Sequence, residues 1–318
     1  MTGAAGVKKR WWLGASLGIS AGLVLLLYLK TGVRLERLLV EWSQANALII
    51  GAAMLLSVLI HVLMGGHKLW LLLRWLGVEI PLGEVFMVRL GEGPLRLLIP
   101  FKGGDLGAAL FFHRRVGLGL GEAAGVILFD RVLNLLGTSA WLLLGLVLAP
   151  DLLPGGTGVV GGVLATGLLV LLIRPLHLQF ARIIRQRAPE RLSHALTSLL
   201  APWRTLSTGA RVVLLAYTLI FVSRPMLLCA LMLAAFQVSL PPAHLMVHTN
   251  LALWAGLIPG PLMGIGPREA TLEALFSSAL PAASGVGLSV AFLLTAAMYL
   301  VPLLVGLPLA PWFLRRLG

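Results

Sequence analysis

Acidic residues are scarce in this sequence: Asp and Glu together number 12 among 318 residues, against 25 Lys and Arg. Charged residues of either sign make up only 12% of the chain. No polar stretch is long enough to enclose a soluble core, so the two soluble domains that this length would suggest are excluded. Cysteine is nearly absent. The single Cys229 lies in an apolar run and rules out both a disulfide framework and a cysteine-based metal cluster. Catalytic patterns are missing too, with neither a Ser-His-Asp order nor a pair of acid–base carboxylates. His244 and His248 have helical metal-ligand spacing, but no Glu stands between them in the catalytic position, so zinc is not expected. The glycines between Gly117 and Gly121 follow no strand pattern and do not make a nucleotide loop. No cofactor, metal or catalytic residue is expected.

What the chain has is apolar length. Hydrophobic residues make up 58% of it and the mean hydropathy is +0.96, the composition of a polytopic membrane protein. The net charge of +13 does not indicate nucleic acid, because the basic residues occupy short loops between apolar runs. Lys8-Lys9-Arg10 precede an apolar run too long for a signal-peptide core, so Trp11–Leu29 reads as a retained first span. Lys30–Gln44 is amphipathic and belongs in the interface. Further spans are expected at Ala45–Met64, Glu122–Leu148, Val159–Ile173, Val212–Phe236 and Val286–Leu309.

Two stretches break this pattern. Leu98-Ile99-Pro100 runs into Gly103-Gly104-Asp105, and Leu257-Ile258-Pro259 runs into Gly264-Ile265-Gly266-Pro267-Arg268-Glu269. Each copy is a Leu-Ile-Pro, a Gly-rich break, then a carboxylate opening an apolar helix. A helix broken at membrane depth is tolerated only where protein or water satisfies the freed backbone groups. Residues 65–121 and 237–284 therefore read as re-entrant helix–break–helix hairpins. Most Lys and Arg fall in 1–10, 65–121, 174–211 and 311–318, which places those segments and both termini in the cytoplasm. The expected fold is all-α: six transmembrane helices and two re-entrant hairpins in one membrane domain, 1–318. Its halves, 1–150 and 151–318, form an inverted repeat of the kind secondary transporters use.

The candidate binding residues are the charges this architecture would bury. Asp130-Arg131 sit inside a span with Asn134 one turn on, and two readings stand: a self-satisfied ion pair, or the polar lining of a head-group path. Arg224, beside the kink-prone Pro225, lies mid-span with no acid near it in sequence. It needs Asp130, Glu269, Glu273 or a lipid phosphate. Glu269 can equally be a helix cap, although Arg268 and Glu273 make it part of a charged cluster beside a glycine break. Arg96, Lys102, Asp105, Arg114 and Arg115 complete the set around the first hairpin.

Pro100 through Gly103-Gly104-Asp105, His113-Arg114-Arg115, Asp130-Arg131 and the Ile258-Pro259 to Glu269 segment resemble the membrane region of lysylphosphatidylglycerol synthases. The same region occurs alone in a broader flippase-like family. The resemblance covers nearly the whole chain. The family's acid–Arg pair is usually Glu-Arg, where this chain has Asp130-Arg131, and its turn carboxylate is usually Glu, where this chain has Asp105. The synthases carry a soluble aminoacyl-transfer domain after this region and this chain ends at Gly318, so the resemblance implies translocation without transferase activity. The expected function is a lipid flippase, not an enzyme, moving an anionic or polyprenyl-linked head group across the bacterial inner membrane. Its partners would be membrane lipids and no nucleic acid. The alternative is a non-transporting partner or scaffold of a membrane-bound lipid-modifying enzyme, docking through Arg174–Arg211.

Overall fold

The computed structural model describes residues 35–98, 103–172, 200–258, 264–280 and 285–317, with isolated positions at 18, 21, 22, 182, 186, 189, 190, 193, 197, 198 and 261. The expected span Trp11–Leu29, the break at 99–102 and most of 174–199 lie outside these residues. Among the described residues the chain is all-helical, with no strands. It runs α1 (Leu35–Gln44), α2 (Ala47–Trp75), α3 (Leu82–Leu98), α4 (Gly103–Val116), α5 (Leu120–Leu148), α6 (Gly156–Leu172) and α7 (Ala201–Thr205). After these come α8 (Thr208–Ala235), α9 (Pro242–Ala255), α10 (Pro267–Ala279) and α11 (Val286–Trp312, its last turns running on to Leu317). Four of them, α2, α5, α8 and α11, are long and apolar enough to cross a membrane. The shorter α6 is apolar as well.

Local chemistry sets the ends. Asn46 Oδ1 accepts from Leu48 N at 3.1 Å and Ile49 N at 3.2 Å, starting α2, and Ser207 Oγ accepts from Ala210 N at 3.2 Å, starting α8. Both helices close with the same turn. Val78 N donates to Leu73 O and Val238 N to Leu233 O, each at 3.0 Å, the bond that closes a Schellman cap. The turn needs a left-handed residue, supplied by Gly77 (φ 79°) in one copy and Gln237 (φ 59°) in the other. A non-glycine residue there costs roughly 1 kcal/mol, and Gln237 bears that cost.

The sequence places the end of the second span near Met64. The structure carries α2 on to Trp75, through a π-helical turn at Ile60–Met64. Gly65-Gly66 do not end the helix, because tertiary packing there outweighs weak propensity. His61, His67 and Lys68 thus lie inside a long helix.

The order long helix, hairpin, long helix occurs twice: α2, α3–α4, α5, and then α8, α9–α10, α11. The long helices pack α2 on α8, α5 on α8 and α2 on α11. Each hairpin rests partly on the other half, with α3 against α11 and α9 against α5. Small residues permit both crossings. A β-carbon on Gly306 would stand 3.1 Å from Leu90 C, and one on Gly145 would stand 2.7 Å from Met246 Cβ. Close backbone approach of this kind is how helices bind where water supplies no hydrophobic drive. One apolar core gathers α2, α3, α4 and α5 around Leu69, Val88, Phe112 and Phe129. A second gathers α8, α10 and α11 around Leu228, Leu272 and Val290.

Candidate functional site

Asp130 lies about 15 Å along α5 at 1.5 Å per residue, buried, and two cations reach it from different helices. Lys68 Nζ of α2 is 2.9 Å from Oδ1, and Arg89 Nη2 of α3 is 3.2 Å from Oδ2. Lys68 also donates to Asn134 Oδ1 at 2.6 Å, which fixes the amide one turn beyond Asp130. Arg89 spreads its fork: Nε donates to Gly65 O at 3.2 Å and Nη1 lies 3.5 Å from Glu92 Oε1. His61, in the π turn of α2, stands 3.8 Å from the same Glu92 oxygen. Beside this, Arg131 grips Asp105 through both Nε, at 3.1 Å from Oδ2, and Nη2. Among the described residues, Lys68, Arg89 and Arg131 thus face Glu92, Asp130 and Asp105, three cations against three carboxylates. A balanced set is what a low-dielectric interior demands, since one unpaired charge there costs several kcal/mol.

Neighbouring Asp130 and Arg131 do not pair with each other. Successive helical positions point about 100° apart, so each finds a partner on a different element. Arg268 and Glu269 behave otherwise. Arg268 Nη2 is 2.8 Å and Nε 3.1 Å from Glu269 Oε1, in the first turn of α10. Glu269 Oε2 accepts from Gly266 N at 2.6 Å, so it is a helix cap and an ion-pair partner at once. Thr295 donates to Glu269 and accepts from Arg268 Nη2 at 2.9 Å, while Arg268 lies 4.5 Å over the Tyr299 ring. Thr295 precedes and Tyr299 lies within a second π-helical turn, Ala296–Leu300 of α11, and π turns of this kind collect at functional sites.

Arg224 is buried where α8 is interrupted at Ser223, just before Pro225. Its Nη1 donates to Ser57 O at 3.3 Å, just ahead of the π turn in α2, and its guanidinium lies 5.5 Å from the Phe221 ring. Lys68 approaches the same ring at 5.0 Å, so Phe221 links Arg224 to the Asp130 network. Asp130 is taken by Lys68 and Arg89 and Glu269 by Arg268; Arg224 forms an ion pair with neither. Glu273 is buried one turn beyond Glu269.

The remaining sequence candidates fall elsewhere. Arg114 is exposed. Arg115 sits at the base of the first hairpin, holding Glu84 through Nε at 3.0 Å and Nη2 at 2.8 Å, with Arg316 Nη1 3.5 Å from the same carboxylate. Those hydrogen bonds keep the Glu84 carboxyl below its ordinary range. The pair borders a cleft between Leu76–Pro81 and Val116–Leu118. The Arg96 side chain and Lys102 lie outside the described residues. Arg211, from the basic stretch, is buried and donates to Leu206 O at 2.9 Å and to Trp203 O, closing α7. The described residues contain no cluster of metal-ligating side chains.

Lys68, Arg89 and Glu92 escape the sequence reading. Arg89 and Glu92, at i and i+3 in a weakly apolar run, were the available signal for α3. Lys68 directly follows Gly65-Gly66-His67, which look like the end of a span.

The family model described as the lysylphosphatidylglycerol synthase TM region matches residues 12–306. No curated protein and no solved structure matches the chain.

Proposed function

Because the chain belongs to the lysylphosphatidylglycerol synthase TM-region family, whose helices make it an integral membrane protein, we propose that it is a lipid translocase. It moves a phosphate-bearing head group, on an anionic or isoprenoid-linked lipid, across the bacterial inner membrane. The observation that carries this reading is Asp130 holding Lys68 and Arg89 deep in the helical bundle. An ammonium and a guanidinium converging on one carboxylate offer the donor set that a phosphate uses. A passing phosphate can take those donors while Asp130, with Glu92 on Arg89, balances their charge between passages. The protein acts as a transporter, not an enzyme, and membrane lipids are its partners.

In this reading six spans and two re-entrant hairpins give both termini to the cytoplasm. The repeated order of long helix, hairpin and long helix supports an inverted repeat with the breaks near the bilayer midplane. Labelling tests the orientation: in a Cys229→Ser background, a cysteine introduced at position 187 should react from the cytoplasmic side alone. Reaction from the outside would reverse the assignment and remove the inverted repeat.

Head-group translocation in liposomes tests the function. The wild-type chain should move a fluorescent phosphate-bearing lipid faster than protein-free vesicles do. Lys68→Met combined with Asp130→Asn, which removes one charge of each sign, should fold and return the rate to the protein-free level. A scaffold would tolerate that double change and lose function when Arg182, Arg185 and Arg187 are reversed to Glu. Wild-type rates in the double variant would discard the network as the path.

A further inference from the structure

A cleft opens at the base of the first hairpin, and its lining carries charge of both signs. Leu76, Val78 and Ile80, from the turn between α2 and α3, and Val116 and Leu118, from the end of α4, border a space of about 520 Å³. That volume suits a small-molecule head group. The turn is braced: Val78 N donates to Leu73 O, and Trp70 Nε1 donates to Ile80 O at 3.0 Å. The cleft follows directly on Trp75, where the apolar length of α2 ends, and both Trp75 and Leu120 are exposed next to it in the chain. An exposed tryptophan at the end of a span marks the head-group level of a bilayer.

On the cationic side, two arginines share Glu84. Arg115 holds it through Nε at 3.0 Å and Nη2 at 2.8 Å, and Arg316 Nη1 stands 3.5 Å from the same carboxylate. Two cations on one carboxylate leave a positive charge in surplus, and Arg115, an exposed side chain, keeps Nη1 for an outside acceptor. Trp312 fixes this rim, lying 4.6 Å under Arg316 and packing on Phe111. The anionic side is Glu79, which is exposed and, among the described residues, forms no ion pair. Arg74, the nearest basic residue in sequence, lies 5.1 Å over the Trp70 ring instead.

A surplus cation and an unpaired carboxylate in one cleft match a zwitterion. The guanidinium fork suits a phosphate, and a primary ammonium brings three donors to a carboxylate. A purely anionic head group would meet Glu79 as a like charge, and a purely cationic one would meet the arginines. We propose that this cleft docks the head group of a zwitterionic aminophospholipid of the surrounding bilayer, its phosphate on Arg115 and its primary ammonium on Glu79. Arg115 lies about 15 Å along α4 from Asp105, so the docked lipid stands apart from the Asp130 network and does not depend on transport.

Native mass spectrometry of the full chain in detergent tests the site, with phosphatidylethanolamine, phosphatidylcholine and phosphatidylglycerol of the same acyl chains titrated separately. Occupancy by phosphatidylethanolamine should be about two- to fivefold higher than by phosphatidylcholine, the range of one exposed ion pair. The quaternary ammonium of phosphatidylcholine has no proton to give Glu79. Glu79→Gln, a change to an exposed side chain, should melt as wild type, erase that ratio and leave phosphatidylglycerol occupancy undiminished. Arg115→Gln should lower occupancy by all three lipids, since each carries a phosphate. Lys68→Met with Asp130→Asn should keep the wild-type ratio, which separates the cleft from the transport path. Equal occupancy by phosphatidylethanolamine and phosphatidylcholine in wild type, a preference that survives Glu79→Gln, or one lost in the Lys68 and Asp130 double variant overturns the proposal.

Discussion

Asp130→Leu is expected to destabilise the chain by about 3–5 kcal/mol, the usual result of breaking one side of a buried ion pair. The substitution removes the acceptor shared by Lys68 and Arg89. Arg89 retains Glu92 and the Gly65 carbonyl, so its loss is partial. Lys68 is left with the neutral amide of Asn134 and the face of Phe221, neither of which offsets a buried ammonium. Adding Lys68→Met should recover most of the loss, since the remaining charges form two neutral pairs, Arg89 with Glu92 and Arg131 with Asp105. The contrast is between fold and function: the rescued protein should melt near wild type yet leave lipid where it was. Thermal unfolding in detergent decides the first half. A single Asp130→Leu variant as stable as wild type would mean that the network is solvated and weakly coupled.

Arg224 carries the second large effect. Its guanidinium reaches the Ser57 carbonyl while lying against Phe221, a double task that suits a planar fork. Lysine keeps the charge but presents a point donor on a flexible stem. Arg224→Lys should therefore fold normally and move lipid roughly ten- to a hundredfold more slowly, the equivalent of one charged hydrogen bond at 1.5–3 kcal/mol. Arg224→Leu should do less still, because it removes the charge and the side-chain donor to Ser57 O together. Full liposome activity in Arg224→Leu would reduce the residue to a packing role.

Which of these features the sequence discloses depends on how far each one reaches along the chain. The Arg268-Glu269 cap is local, and its residue types and glycine break announce it. Asp130-Arg131 announce a buried charge, but their partners lie on α2, α3 and α4, and no periodicity links positions so far apart. Arg224 shows the same limit. Its depth in α8 is plain from the hydropathy, whereas its acceptor, the Ser57 carbonyl, is a backbone group 167 residues away that leaves no mark in composition. Lys68 is the instructive case. Two glycines and a histidine ahead of it imitate a helix end, and packing carries α2 through them to Trp75. The division of each helix pair, α3 from α4 and α9 from α10, is legible from its Leu-Ile-Pro break. Their cross-seating on the opposite half was not, because it rests on single glycines, such as Gly145 and Gly306, among many.

That cross-seating bears on how the protein comes into being. The first hairpin is enclosed partly by α11, through Gly93 against Leu303 and Gly306 against Leu90 and Pro94. Its contact surface includes residues of α11, which leave the ribosome well after α3 and α4. The usual order, in which an N-terminal unit completes itself while the remainder is still being synthesised, is closed to this chain. The first half must wait in the bilayer with one flank of α3 uncovered until α11 arrives.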